Sequence, residues 1–346
     1  MEEMFYLHPP VNDAALPEKV YVEPTSMCNL SCSICFRHGW FDERLGRMDT
    51  ALFRELAGQI SDISAVNEVF FGGMGEPLFH PDIGEMLSRV PQRCKKSLLT
   101  NGTLLTERRC VELIEAGLDE LWISMDGFSR ESYEAIHLGS RYQQLLENIN
   151  AFNTIRKNSG VRLCVTFVVT PENLGQLEYI NAFADEHGVD GINISHEIPG
   201  RPMPQEALLH GSADIAVGKM RRYAPAETLP EPHVCPFVSS NSVFVRWDGD
   251  VVPCMQLLHN TCTYLYEQRR KITRFSYGNI AEQSLLSCWN RQDYREFRHR
   301  VNTFYFPFCT SCWGCEDREE NLHDCFLGEA PTCGGCLWST GRVFCP

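Results

Sequence analysis

The chain has 346 residues, which is enough for two domains of ordinary size. Its formal net charge is −14, from 31 Lys and Arg against 45 Asp and Glu, and this acidic balance argues against nucleic-acid binding. No stretch reaches the roughly 18 consecutive apolar residues of a membrane span, and the N-terminus lacks the apolar core of a signal peptide. We therefore expect a cytoplasmic protein that does not bind membranes.

Strand-like and helix-like segments alternate from residue 19 to about residue 199. The strand-like runs lie at 19–23, 68–71, 96–100, 120–125, 161–170 and 191–198. The helical patterns lie near 50–60, 81–90, 106–116, 141–157 and 173–187. Six strands alternating with helices predict an α/β fold with parallel strands. The pattern alone does not choose between a partial barrel and a doubly wound sheet.

Residues 200–234 are rich in proline and are interpreted as a linker with at most one short helix. From Cys235 onward the chain is rich in cysteine and poor in long periodic segments, so metal clusters are the expected source of its stability. A basic run in this part, 269–271, is interpreted as a solvated turn. The predicted organisation is an N-terminal extension (1–18), an α/β domain (19–199), the linker (200–234) and a cysteine-rich domain (235–346).

Seventeen cysteines are many for a chain of this length. Their odd number, the Cys-x-x-Cys pairs and the lack of a secretion signal point to metal binding rather than to disulfides, and to an oxygen-sensitive protein. Some of them lack partners at ligand spacing and are interpreted as buried structural residues, namely Cys94, Cys110, Cys164, Cys262 and Cys288.

The most informative cysteines directly follow the first strand, in Met27-Cys-Asn-Leu-Ser-Cys-Ser-Ile-Cys-Phe36. The spacing of Cys28, Cys32 and Cys35 lets the thiolates of one short loop converge on one cluster. A [4Fe–4S] cluster normally takes four cysteine thiolates, so a loop with three leaves one iron free to hold a small molecule. The alternative is a zinc site completed by His38. This spacing behind a strand is the signature of the radical S-adenosylmethionine (SAM) enzymes, and the chain resembles that superfamily.

The resemblance implies a partial (β/α)6 TIM-like barrel with its cofactor site at the carboxyl ends of the strands. The residues predicted to contact SAM, which all follow or end strands in the N-terminal half, are Ile34, Gly73, Gly75, Glu76, Ser124, Asp126 and Asn193. The segment Asn101-Gly102, after the third strand, is interpreted as a plain turn.

Each predicted contact has a role in similar enzymes. Ile34 occupies the position that packs against adenine. The glycine-rich element at 72–76 resembles the one that holds the SAM amino group, with Glu76 supplying a carboxylate. Ser124 and Asp126, two apart on a strand, share a face and are predicted to bind the ribose or the carboxylate. Asn193 is a candidate for the adenine side.

The C-terminal cysteines resemble a SPASM domain, an accessory domain that carries up to two further iron–sulfur clusters. Residues 243–252 predict a β-hairpin that turns at Asp248-Gly249 and brings Cys235 and Cys254 towards one cluster. The later spacing departs from the usual SPASM pattern, so single cysteines are not assigned to clusters. The candidate ligands, one more than two clusters need, are Cys235, Cys254, Cys309, Cys312, Cys315, Cys325, Cys333, Cys336 and Cys345. A zinc ribbon is the alternative for part of this set.

Several segments resemble the tungsten-cofactor oxidoreductase radical SAM maturases, namely 36–37, 245–249, 257–259, 321–326, 331–338 and 343–346. Members of that family accompany tungsten enzymes of the aldehyde ferredoxin oxidoreductase type. The resemblance implies an enzyme that cleaves SAM to a 5′-deoxyadenosyl radical and removes hydrogen from a peptide, a protein or a pterin-type cofactor. It implies an electron donor such as ferredoxin or flavodoxin, and a peptide or protein substrate for which a tungsten oxidoreductase is a candidate.

Two other functions stay open at this point. A SPASM enzyme that crosslinks or oxidises a small precursor peptide fits the same motifs, although no N-terminal precursor-recognition domain is evident. A non-catalytic scaffold for zinc or clusters would not bind SAM, and the glycine-rich element argues against it. Residues just past the cysteine loop, His38, Trp40, Asp42 and Glu43, are candidates for lining a substrate mouth.

Overall fold

The structure is a computed structural model that describes residues 15–202, 220–222, 235–309, 312, 314–326 and 331–339. Within these ranges the strands are Lys19–Val22 (β1), Glu68–Phe71 (β2), Lys95–Thr100 (β3), Glu120–Ser124 (β4), Arg162–Val169 (β5), Gly191–His196 (β6), Met220–Arg222 (β7), Ser242–Val245 (β8), Val251–Val252 (β9), Thr261–Leu265 (β10) and Gln268–Ile272 (β11). The α-helices are Thr50–Asp62 (α1), Ile83–Arg89 (α2), Glu107–Glu115 (α3), Arg130–Ile136 (α4), Tyr142–Arg156 (α5), Ile180–Glu186 (α6), Pro236–Ser239 (α7), Leu285–Trp289 (α8) and Gln292–Asn302 (α9).

One large sheet organises these elements, with the strand order β7-β6-β5-β4-β3-β2-β1-β8-β9. Every neighbouring pair in it is parallel except β8 and β9. Strands β1 to β6 follow chain order with helices between them, which confirms the predicted α/β fold. Because the strands are parallel, their carboxyl ends lie along one edge, where the predicted site residues follow them.

The helix ends follow ordinary capping chemistry. The side chain of Asp49 accepts a hydrogen bond from Ala51 N (2.7 Å) at the start of α1. Thr106 caps α3 by accepting from Arg109 N (3.3 Å), as its position in the sequence predicts. Gly117, just beyond α3, has a φ of +82°, a conformation that suits glycine and ends the helix.

Several elements differ from the sequence-based expectation. Helix α4 was not predicted; a capping box between Ser129 and Ser132 begins it. Strand β7 lies inside the segment interpreted as a linker and pairs with β6. Helix α9, with 11 residues, lies in the region expected to lack long periodic segments. Among the described residues, no helix is both long and apolar enough to span a membrane.

The C-terminal part of the chain joins the same sheet through β8. This strand pairs with β1 in parallel, with Lys19 opposite Ser242 and Val22 opposite Val245. The ring of Tyr21 stacks on Phe244 with 5.4 Å between centroids, so side chains of both parts form one core. The barrel and the cysteine-rich part are therefore held together by backbone pairing as well as by apolar burial.

The predicted hairpin is confirmed, because β8 and β9 pair antiparallel and Gly249 at the turn has a φ of +93°. The interpretation of residues 269–271 as a solvated turn is wrong. The run lies in β11, which pairs antiparallel with β10. Neighbouring side chains of a strand point to opposite faces, so Arg269 is exposed while Arg270 is only 3% exposed.

Candidate functional site

The loop between β1 and α1 carries Cys28, Cys32 and Cys35, all of them partly exposed. A tight turn, in which Cys35 N donates to the Cys32 carbonyl (3.0 Å), folds the second and third cysteines back towards each other. Burial raises the pKa of the Cys32 thiol to about 12, and repulsion from Cys35, Asp126 and Cys28 adds to the shift. The three thiols thus share one site, in which their thiolate forms require a compensating positive charge.

Backbone hydrogen bonds hold this loop from two sides. From the end of β2, Glu76 N donates to the Met27 carbonyl at 2.8 Å. Near the end of α4, the Ile136 carbonyl accepts from Ser33 N, also at 2.8 Å. The loop geometry is therefore imposed by neighbouring elements of the barrel, including the helix that sequence patterns did not predict.

The glycine-rich element after β2 lies directly against the start of the cysteine loop. At Gly75, a Cβ atom would lie only 2.0 Å from the carbonyl oxygen of Thr25. Gly73 has a φ of +129°, and a Cβ there would lie 2.8 Å from Cγ of Glu23. Glycine is needed at Gly75 because a Cβ would meet backbone atoms, and at Gly73 because its positive φ and the Glu23 side chain both disfavour a Cβ.

Glu76 lies at the end of this element and is 2% exposed. Its carboxylate accepts hydrogen bonds from Leu78 N (2.9 Å), Thr100 Oγ1 (2.6 Å) and Asn101 N (2.7 Å). Burial raises the pKa of Glu76, and these hydrogen bonds oppose the shift. The side chain of Glu76 therefore connects the element after β2 to the end of β3. Its contact with the SAM amino group stays a prediction.

Ser124, Thr166 and Asn193 lie side by side, because they are register partners on β4, β5 and β6. Asn193 is 1% exposed, and its Nδ2 donates to Thr166 Oγ1 at 3.3 Å. Its buried Oδ1 has no hydrogen-bond partner among the described residues. An unsatisfied buried acceptor is costly, so a ligand donor at this position fits the predicted adenine contact. Ile34 is partly exposed within the cysteine loop.

Asp126 lies just beyond β4, is 2% exposed, and accepts from Val168 N at 2.7 Å. Its other carboxylate oxygen lies 3.0 Å from Nε2 of His137. The opposite nitrogen of this imidazole, Nδ1, lies 3.6 Å from Sγ of Cys32. His137 thus connects two predicted site residues. No sequence pattern marked it, because it follows the short helix α4 rather than a strand.

The interpretation of Asn101-Gly102 as a plain turn is too narrow. The side-chain Nδ2 of Asn101 donates to Asn29 Oδ1 (3.1 Å) and lies 3.8 Å from Sγ of Cys28. Asn29 in turn donates to Thr103 Oγ1 at 2.8 Å. The carboxyl end of β3 therefore contacts the cysteine loop. The position of Asn101 directly after a barrel strand was the sequence feature that could have indicated this contact.

A buried chain of charged groups links the barrel to the C-terminal part. Glu23, directly after β1, accepts from Met74 N (3.1 Å), and its Oε1 lies 2.8 Å from Nε2 of His259. Nδ1 of His259 lies 3.0 Å from Oε2 of Glu43, which also accepts from Arg246 Nη2 at 2.7 Å. We call these four charged residues the Glu23–His259 network. With a protonated imidazole, it contains two negative and two positive groups.

The residues proposed for a substrate mouth have different environments. The side chain of Glu43 is 3% exposed, so the hypothesis that it lines a mouth does not fit its burial. Trp40 is partly exposed and stacks on His259 with 4.2 Å between ring centroids. His38 and Asp42 are exposed.

In the C-terminal part, Cys235, Cys254, Cys333 and Cys336 line one pocket together with apolar side chains such as Trp338. Burial raises the pKa of Cys254 well above its usual value, and repulsion from Cys336 and Cys235 adds to the shift. Burial likewise raises the pKa of Cys333, and repulsion from Cys336, Cys254 and Cys235 adds to the shift. The hairpin cysteines therefore meet the Cys333-x-x-Cys336 pair, and we call these four the inner cysteine group.

A second set, Cys309, Cys312, Cys315 and Cys325, forms the outer cysteine group. Burial raises the pKa of Cys309, and repulsion from the other three adds to it. Cys312 and Cys325 are exposed, so this group lies nearer the surface than the inner one. Cys345, the ninth candidate, lies outside the described residues.

The five cysteines interpreted as structural do not join any of these sets in the described structure. Cys94, Cys110, Cys164 and Cys288 are buried, in line with their interpretation as small apolar residues. Cys262 is only partly buried, and its Sγ accepts from Arg269 Nη2 at 3.0 Å.

Comparison with known proteins identifies the class. The Radical SAM superfamily profile matches residues 22–198, and that of SPASM, an iron–sulfur cluster-binding domain, matches residues 235–316. The chain belongs to the radical SAM superfamily and is an enzyme. This removes the alternative of a non-catalytic scaffold.

Within the superfamily, the chain is 32% identical over 350 residues to the tungsten-containing aldehyde ferredoxin oxidoreductase cofactor-modifying protein of Pyrococcus furiosus. The alignment covers 94% of this chain and 96% of that protein, so the chain belongs to the same family. It is also 26% identical to the PqqA peptide cyclase of Gluconobacter oxydans, over 89% of this chain and 85% of that protein.

Solved structures show the same fold at low identity. Streptococcus suis SuiB bound to the precursor peptide SuiA superposes with a TM-score of 0.63 and 16% identity, over 81% of this chain and 66% of that chain. The structure of anSMEcpe with bound AdoMet gives a TM-score of 0.56 and 17% identity, over 81% and 82% of the two chains. These likenesses concern the fold alone.

The cofactors that follow from this membership are SAM, a [4Fe–4S] cluster and further iron–sulfur clusters in the SPASM domain. The donor sets fit them, because one loop offers three thiols and the two C-terminal groups offer four each. The buried acceptor of Asn193 fits a nucleoside donor. Within the described residues, no group of three or more His, Cys, Asp or Glu side chains is arranged to hold a single metal ion.

The close approach at Gly75 predicts that Gly75→Ala impairs the cysteine loop. The added Cβ would meet the Thr25 carbonyl oxygen at 2.0 Å, so the loop must shift, at a cost of about 1–3 kcal/mol. We expect a lower iron content and weaker SAM binding after anaerobic reconstitution, measured by iron analysis and equilibrium dialysis. Gly58→Ala is the control, because nothing lies within 4 Å of its Cβ position and alanine favours a helix. Equal iron contents in the two variants would contradict the prediction.

The Glu23–His259 network predicts a pH optimum of stability. Burial alone would lower the pKa of His259, but the Glu23 charge and hydrogen bonds to Glu23 and Glu43 raise it overall. The stability that the His259 interactions contribute is complete below about pH 6.5, and it is lost as the pH rises through the raised pKa of His259. Burial alone would raise the pKa of Glu43, but hydrogen bonds from His259 and Asn260 N, with the Arg246 charge, lower it overall. The stability that the Glu43 interactions contribute is present above about pH 4.3, and it is lost as the pH falls through the lowered pKa of Glu43.

The measurement compares anaerobic denaturation midpoints of the wild type and Glu43→Gln across this pH range. We expect the difference to be largest between about pH 4.3 and pH 6.5 and to shrink on both sides. Glu85→Gln is the control, because Glu85 pairs with Arg54 and Arg89 near the surface, where solvent screens the charges. The same pH profile for both variants would count against the network.

Proposed function

We propose that this protein is a radical SAM maturase whose Cys28, Cys32 and Cys35 hold the [4Fe–4S] cluster that binds SAM. The observation that carries the proposal is the convergence of these thiols at the sheet edge where the polar ends of β2, β4 and β6 also gather. When bound, SAM and the cluster supply one-electron cleavage to methionine and a 5′-deoxyadenosyl radical that takes hydrogen from the substrate.

The chain's own residues then have positioning roles. Gly73 and Gly75 leave the backbone beside the cysteine loop without side chains, so that the methionine part of SAM could approach this backbone closely when bound. Ser124 and Asn193 offer polar atoms on adjacent strands for the nucleoside part. The Asp126–His137 pair lies against Cys32 and fixes that side of the cluster loop.

The two C-terminal cysteine groups are proposed to ligate one [4Fe–4S] cluster each. Each group has the four thiols that a fully ligated cluster needs, so Cys345 is not required for either. Their function would be to carry electrons to or from the barrel site, in exchange with a donor such as ferredoxin or flavodoxin.

Replacement of the loop cysteines tests the reaction. In the triple variant Cys28→Ala, Cys32→Ala, Cys35→Ala, we expect 5′-deoxyadenosine formation from SAM under anaerobic reduction to fall to background, because no cluster is left to deliver the electron. Chromatography of the quenched reaction measures it. Cys94→Ala, which changes a buried cysteine outside the three groups, should retain the activity. Undiminished turnover in the triple variant would reject the proposed site.

For the substrate, we propose the pterin-type cofactor or the polypeptide of a tungsten-dependent oxidoreductase of the aldehyde ferredoxin oxidoreductase type. The support is the 32% identity to the Pyrococcus furiosus cofactor-modifying protein over nearly the whole length of both chains. The alternative is a small precursor peptide. The relation to the PqqA peptide cyclase favours that alternative at lower identity.

The substrate test uses the reconstituted full-length protein with SAM and a reductant. One reaction contains a tungsten oxidoreductase produced without this protein, and a parallel reaction contains a precursor peptide from the same genome. We expect 5′-deoxyadenosine to rise several-fold above the uncoupled background only with the oxidoreductase, together with a mass change in its polypeptide or cofactor. A mass change in the peptide alone would favour the alternative.

A further inference from the structure

Arg270, on β11, is a buried cation between the two C-terminal cysteine groups. It is 3% exposed, and its Nη1 donates to the Arg318 carbonyl at 2.8 Å. No carboxylate of the described residues lies within ion-pair distance, 4.0 Å, of its guanidinium. A buried charge without a partner costs several kcal/mol, so its presence requires compensating negative charge nearby.

The cysteine groups are the negative charge that the surroundings of Arg270 offer. Its guanidinium interacts favourably with Cys309 of the outer group and with Cys336 and Cys333 of the inner group, whereas the buried guanidinium of Arg318 repels it and adds to the need for negative charge. Neutral thiols could not balance a guanidinium, whereas cluster-bound thiolates carry the required charge.

The two groups also share a wall at this point. In the Cys333-Gly-Gly-Cys336 loop of the inner group, the Gly334 carbonyl accepts from Cys309 N of the outer group at 3.0 Å. A Cβ atom at Gly334 would lie 2.9 Å from Sγ of Cys309. At Gly335 it would lie 2.5 Å from Nη1 of Arg270. One short loop therefore touches the arginine on one side and the other cysteine group on the other.

We propose that Arg270 is a shared counter-ion that raises the reduction potentials of both C-terminal clusters. This rests on the ligand groups given under the proposed function. Each reduction adds negative charge to a cluster, and a desolvated positive charge beside both stabilises that added charge. The same arginine weakens the repulsion between the two clusters, so that both can be reduced over one range of potential. Arg270 is a positioning residue for electron transfer and does not contact substrate.

The experiment is an EPR-monitored redox titration of reconstituted full-length protein. The triple variant Cys28→Ala, Cys32→Ala, Cys35→Ala is the background, so that only the C-terminal clusters contribute. In this background, Arg270→Gln removes the charge and Arg270→Lys keeps it. Arg269→Gln is the matched control, because Arg269 lies next to Arg270 in the same strand but is exposed. About eight iron atoms per chain should remain in the background protein.

We expect Arg270→Gln to shift the reduction potentials of both C-terminal clusters to more negative values. At a fixed potential, the ratio of oxidised to reduced cluster should rise at least tenfold, which corresponds to a shift of about 59 mV for one electron. If the unbalanced site does not hold its clusters, both signals should be lost together. Arg270→Lys should retain both clusters with smaller shifts, and Arg269→Gln should match the background.

Unchanged potentials in Arg270→Gln, a change confined to one cluster, or equal effects of Arg270→Lys and Arg270→Gln would each overturn the proposal. The failure of the proposed function looks different. In that case the background protein itself would lack auxiliary signals and iron, before Arg270 is changed at all.

Discussion

Compensation of buried thiolate charge is the constraint on which this structure depends. Burial raises the pKa of Cys32, Cys254 and Cys333, so without metal these thiols stay protonated. In the proposed clusters, iron would supply the positive charge that makes thiolates stable at these positions, and this would couple folding of the cysteine-rich part to cluster assembly. The barrel is less dependent on this coupling, because β1 to β6 and their helices contribute most of the apolar core that the two parts share. The C-terminal part has shorter elements, and its clusters take the place of part of a core.

The second constraint is that the two parts cannot move independently near the cofactor site. Strand β8 extends the barrel sheet beside β1, and the cysteine loop leaves β1 at its carboxyl end. At this same end of β1, Glu23 accepts from Met74 N of the glycine-rich element and contacts His259 of the C-terminal part. A displacement of His259 would therefore reach the backbone that is proposed to hold SAM. This rigidity suits the proposed reaction, in which a reactive radical would form at a fixed distance from its target.

Much of the fold and of the candidate site could be predicted, because local sequence patterns determine the strands and the cysteine loop. The six strands have short apolar runs, and the cysteine loop has a spacing that few other sites share. His137, Asn101 and the Glu23–His259 network could not be predicted, because each depends on residues distant in sequence that the parallel sheet brings together. Arg270 was misinterpreted for a related reason. Three successive basic residues suggest solvent exposure, but in a strand only alternate residues share a face, and burial is decided by the partner that packs on that face.

The division of the C-terminal cysteines into two groups also could not be predicted from local sequence patterns, for a physical reason that the structure shows. Cys325 and Cys333 are neighbours among the cysteines of the sequence, yet they lie in different groups, because the last described segment, 331–339, returns to the hairpin at Cys235 and Cys254. The return brings Gly334 against Pro307 and Cys309, and Gly335 against Arg270, so that a Cβ atom at either glycine would be too close to its neighbours. The glycines between Cys333 and Cys336 are therefore set by contact between the groups as well as by the turn itself. The segment completes one group and forms a wall of the other, so its loss would disturb both.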